Sequence, residues 1–113
     1  MTIHLSNVIE CLRELSDIEF QRRVWVDGSG PDVSSFEELI CQLFDDTGLD
    51  DAIESGAARD ELGEEIATRL QDLDSAIARI DRSLSADLLV EHPAMEDVRQ
   101  LASTVLSQFE KQA

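Results

Sequence analysis

From Ile3 to Leu15 the apolar residues Leu5, Val8, Leu12 and Leu15 recur at intervals of three and four, the spacing of one helix face. Ser16-Asp17-Ile18-Glu19 then reads as a capping box, with Ser16 accepting from the next helix and Glu19 reaching back. That helix runs through Phe20, Val24 and Trp25, although Val24-Trp25-Val26 is rich in strand formers and leaves a short strand open. Asp27-Gly28-Ser29-Gly30-Pro31-Asp32 is a loop, because two glycines and a proline interrupt any regular element. Ser35 is the next N-cap, and Phe36, Leu39, Ile40, Leu43 and Phe44 form the stripe of a core-facing helix. Thr47-Gly48 ends it, since glycine takes the left-handed conformation used past a helix C-terminus. A short helical turn over Leu49–Ser55 follows, closed by Gly56.

The spacing predicts that the longest helix spans Ala58 to Ser83. Leu62, Ile66, Leu70, Leu73, Ile77, Ile80 and Leu84 follow a heptad-like rhythm that keeps every large aliphatic side chain on one face. In a chain this short, that face is the spine of an internal bundle, and the alternative is a dimer seam. Gly63 weakens the first turn by roughly 1 kcal/mol relative to alanine. Ser85–Glu91 forms a short helix stopped by His92-Pro93, because the residue before proline disfavours the helical region. A final helix starts near Ala94 and buries Met95, Val98, Leu101, Ala102, Val105 and Phe109. The predicted fold is therefore all-α, a compact bundle of four to six helices in one domain over residues 1–113.

Composition agrees with a globular core: 113 residues of which 42% are apolar. Charge changes the picture. The formal net charge is −16, which argues against direct binding to nucleic acid or to an anionic membrane surface. From Asp27 to Glu65 there are thirteen acids and a single base, Arg59, a net of −12. The rest of the chain holds twelve acids against eight bases, an ordinary balance. A block of one sign gives one side of a molecule a potential that steers a basic partner. Its centre is assigned to Asp45, Asp46, Asp50, Asp51 and Glu54, around the Thr47-Gly48 break, with Glu37 and Glu38 beside it. Trp25, just outside the block, is read as a core residue or as an interface anchor, tryptophan being enriched at hot spots.

No motif for catalysis or for a metal emerges. Placing Gly48 at position six of a calcium loop puts Leu43 at position one, where an oxygen ligand is required. Cys11 and Cys41 lack a Cys-x-x-Cys spacing, and His4 and His92 are far apart in sequence, so no zinc set is expected. The two cysteines read as buried free thiols. The Gly-Ser-Gly-Pro loop lacks the Gly-Lys-Ser/Thr that would cradle a phosphate. The expectation is a non-enzyme with no cofactor. With no basic-then-apolar leader and no apolar run approaching 20 residues, a cytoplasmic protein is expected.

The stretch from Val24 to Glu38, together with size and acidity, resembles small acidic bacterial immunity proteins that neutralise toxins. The resemblance implies inhibition of a nuclease-type toxin domain, whose basic groove would meet a preformed acidic surface. It assigns no residue a role. Two other readings stand beside it: a dimeric acidic secretion or assembly chaperone, and a structural or regulatory subunit with no charged partner.

Overall fold

The computed structural model describes residues 4–28 and 35–112, and every described element is helical. The elements are α1 (Leu5–Ser16), α2 (Ile18–Gln21), α3 (Phe36–Cys41), α4 (Leu49–Ser55), α5 (Ala57–Leu62), α6 (Glu64–Ala78), α7 (Ala86–Glu91) and α8 (Pro93–Gln112). Two of them lengthen into wider π-helical turns, α2 through Arg22–Val26 and α3 through Gln42–Asp46. The all-α bundle expected from periodicity is present. Its eight described segments exceed the predicted four to six because glycines and polar caps break the apolar stripes more often than spacing implies. The proposed start at Ile3 and most of the glycine-proline loop, residues 29–34, lie outside the described residues.

Local chemistry explains the breaks. Asp17, not Ser16, caps α2: its backbone is extended and its Oδ1 accepts from the Phe20 N–H at 3.2 Å. Ser16 instead donates to the Arg13 carbonyl, finishing α1, so the cap sits one residue later than predicted and is a single bond in place of the Ser16–Glu19 box. Val24-Trp25-Val26 is helical; β-propensity yields to the burial of Val24 and Trp25. Ser35 Oγ accepts from Glu38 N–H at 3.2 Å, the cap that spacing predicted. The expected long helix from Ala58 to Ser83 is broken. Gly63 sits at φ 93°, ψ 156°, a conformation open essentially to glycine alone, and α6 stops at Ala78. Beyond it, the Asp81 carboxylate draws the N–H and hydroxyl of Ser83 into a turn that competes with helix. The longest helix is thus α8. Pro93 takes its first position, where no N–H is needed, and His92 Nδ1 accepts from Ala94 N–H at 3.1 Å.

Helix α8 packs against both α1 and α6. Val8, Leu12 and Leu15 from α1, Ile66, Leu70, Leu73 and Ile77 from α6, and Met95, Val98 and Val105 from α8 are all buried. Each such side chain contributes about 1.5–3 kcal/mol of transfer free energy. The heptad stripe is therefore an internal spine, with Leu62 and Leu84 half-buried at its two limits.

A polar group is built into this core. Gln21, fully buried, donates from Nε2 to the carbonyls of Glu14 and Leu15 at 3.1 and 2.8 Å. Arg99, 6% exposed, donates to Gln21 Oε1 and to the Val90 carbonyl, both at 3.0 Å, and to the Glu96 carboxylate at 2.9 Å. These bonds join the ends of α1 and α7 to the side of α8. Beside them Arg22 bridges to Glu91 at 2.8 Å.

Candidate functional site

The acidic residues singled out in the sequence gather at the turn between α3 and α4. Leu43 and Phe44 face the core, which turns the next two side chains, Asp45 and Asp46, to solvent. Thr47 is buried and spans the corner: its hydroxyl donates to the Leu43 carbonyl and accepts from Leu49 N–H. Gly48 follows at φ 79°, in the left-handed region, and α4 begins. Leu49 and Ala52 anchor α4 inward, so Asp51 and Glu54 are exposed and Asp50 is half-buried. Asp50 and Asp51 also lie in the first turn of α4, where negative charge suits the helix dipole. None of the five carboxylates is in ion-pair contact with a basic side chain among the described residues.

The fold adds acids from outside the sequence block. His4 N–H donates to the Thr47 carbonyl at 3.0 Å, pinning the start of α1 to the same corner. A cavity of about 270 Å³ lies there, where Asn7, Glu10 and Glu14 of α1 meet Gln42 and Asp46 around the buried Cys11. Burial, then Glu14, Glu10 and Asp46, push the Cys11 thiol up to about 11. A thiol held protonated in this way is a poor nucleophile. On the other flank, partial desolvation and the Asp50 charge raise the Asp74 carboxyl of α6 above the usual aspartate range. Carboxylates from α1, α3, α4 and α6 therefore share this region. Glu10, Glu14 and Asp74 lay outside the sequence reading; the one local hint was the pair Glu10 and Glu14, four apart with Cys11 between them.

Two of the proposed partner-binding residues do not belong to such a surface as expected. Trp25 is 9% exposed and packs edge-on to Phe36, with ring centroids 6.0 Å apart, so it is a core residue and not an exposed anchor. Glu37 is exposed but bonded to Arg82 at 3.0 Å, and that guanidinium also lies over the Phe36 ring, so its charge is answered by a base from outside the block. Glu38 is exposed on α3. Cys41 is exposed rather than buried, because Leu39 and Ile40 take the inward positions of α3.

Comparisons of the chain with protein families, with curated proteins and with solved structures find no match. The chemistry of the face must be read from its own groups. Among the described residues no three of His, Cys, Asp and Glu come together in a way that could hold a metal ion. No described helix is long and apolar enough to cross a membrane. What the face offers is a group of carboxylates, those of Asp45, Asp46, Asp50, Asp51 and Glu54 without an ion-pair partner among the described residues, able to attract and orient cationic groups.

Proposed function

We propose that the protein is a non-enzymatic binding protein that neutralises or masks a basic protein partner, such as a nuclease-type toxin domain, through this acidic face. The observation that carries the reading is the gathering of Asp45, Asp46, Asp50, Asp51 and Glu54 without a single ion-pair partner among the described residues. Exposed charge of one sign, held in place by Thr47 and Leu49, accelerates the encounter with a complementary surface. The chaperone alternative used the heptad stripe as a dimer seam, and that stripe is occupied by α8.

The test is inhibition of basic nuclease domains encoded beside the gene. Association should slow as salt rises from about 0.01 to 0.15 M, where the Debye length falls from about 30 to 8 Å. Replacing Asp45, Asp46, Asp50 and Asp51 together with Asn should slow association roughly tenfold or more, with an unchanged circular dichroism spectrum. Inhibition indifferent to both changes removes the acidic face from the mechanism, and no inhibition of any such domain ends the toxin reading.

A further inference from the structure

Helices α4 and α5, residues 49–62, are held differently from the rest of the chain. Their chief packing partners are their own sequence neighbours: α4 lies on the π-helical end of α3, α5 on α6, and the two on each other. The fully buried side chains are Leu49, Ala52 and Ala58, one large residue and two small ones, with Ile53, Ala57 and Leu62 only half-buried against the core. The side-chain hydrogen bonds of the segment stay within it or reach only Thr47 at its edge. No ion pair ties it to α1, α6 or α8 among the described residues. Both flanks are glycines at positive φ, Gly48 at 79° and Gly63 at 93°. The segment carries five acids against Arg59, a net of −4, and the Asp50 charge is felt at Asp74 of α6, a carboxylate of its own sign.

We propose that residues 49–62 form a charge-tuned strap that opens as one unit about Gly48 and Gly63 while the α1–α6–α8 core stays folded. Helices of seven and six residues are too short to persist alone, so undocking the strap melts both together. Contacts this local can be lost without disturbing α8, the condition for sub-global opening. Repulsion from Asp74 and among the strap's own acids favours the open state, and screening or neutralising that charge favours the closed one. The inference stands apart from the partner reading, because the strap opens whether or not a basic protein ever binds.

Native-state hydrogen exchange on the whole protein, read by mass spectrometry, tests it. Amides of 49–62 should exchange as one cooperative group, well before those of α1 and α8. Raising salt from about 0.01 to 0.5 M, or the substitution Asp74→Asn, should slow that group about two- to fivefold relative to α8. Asp74→Lys should slow it further by giving Asp50 a partner. Asp74 lies outside the strap, so these variants change the charge that meets it without altering any residue of the strap itself. Exchange of 49–62 only together with α1 and α8 overturns the proposal. So does a separate opening that ignores salt and both Asp74 variants.

Discussion

Arg99 on α8 is a buried charge and Asp74 on α6 an exposed, partly desolvated one, and the fold treats them oppositely. Arg99 is 6% exposed, yet Gln21, the Val90 carbonyl and Glu96 answer it, and Gln21 in turn holds the end of α1. Asp74 meets partial desolvation and Asp50, with no cation beside it among the described residues. In the first region, charge works as an internal fastener between α1, α7 and α8. In the second it is left unanswered, which presents carboxylates to whatever approaches. Acidity in this chain is therefore not one property: Glu96 and Glu91 are bonded within the fold, while Asp45, Asp46 and Glu54 are exposed without an ion-pair partner among the described residues.

Removing the fastener should have the largest effect. Arg99→Met leaves Gln21 Oε1 and the Val90 carbonyl without their donor, and each buried unsatisfied group costs about 1–3 kcal/mol. The expected loss is about 2–4 kcal/mol, read as a lower urea midpoint with an unchanged slope. A variant as stable as the parent would show that the Gln21–Arg99 pairing holds nothing together.

The junction of the two regions comes next. Gly63→Ala meets no neighbouring atom, so any cost is purely conformational. At φ 93°, ψ 156° an alanine should lose about 1–3 kcal/mol, or the α5–α6 junction should shift to avoid the strain. Thermal unfolding and exchange of the strap amides would register either response. An unaffected protein would mean that this backbone geometry is not required.

The smallest effect is on pH dependence. The folded Asp74 carboxyl titrates above its unfolded value, so its penalty is fully present at neutral pH and is relieved as pH falls through the folded pKa. Asp74→Asn should therefore be more stable than the parent at pH 7, with the gap closing as pH falls toward 4. Glu96 behaves in the opposite sense. Hydrogen bonds from Arg99 and Gln100 and the Arg99 charge hold its carboxyl below the usual glutamate range, so its contribution is lost on further acidification. Urea midpoints of parent and Asp74→Asn across pH 4–7 check the sign. A gap that widens on acidification would contradict the pairing of Asp74 with Asp50.

Much of the helix plan was legible because its causes lie within one turn of the chain. The stripes of α1, α3, α6 and α8, the Ser35 cap, the Gly48 stop and the stop of α7 at His92-Pro93 all follow from residues close together in the chain. The concentration of acid between Asp27 and Glu65 was equally visible, being a matter of counting. Some local contests were not legible. Asp17 and Ser16 are both good caps, and spacing alone does not choose between them; Gly63 is tolerated in many helices but here adopts a conformation that ends one.

Tertiary structure decided which charges remain available. Arg82 reaches Glu37 across 45 residues of sequence, removing one predicted member of the face. Trp25 turned inward because Phe36 offered it an aromatic partner. Glu10 and Glu14 joined Asp46, and Asp74 joined Asp50, because α1 and α6 pack where they do. By itself the sequence determined where helices form and how much negative charge the chain carries, since those follow from local backbone energetics and composition. Only the packing of helix on helix determined whether a given carboxylate is paired, desolvated or free to meet a partner, because Coulomb energy depends on distances and burial that no local rule specifies.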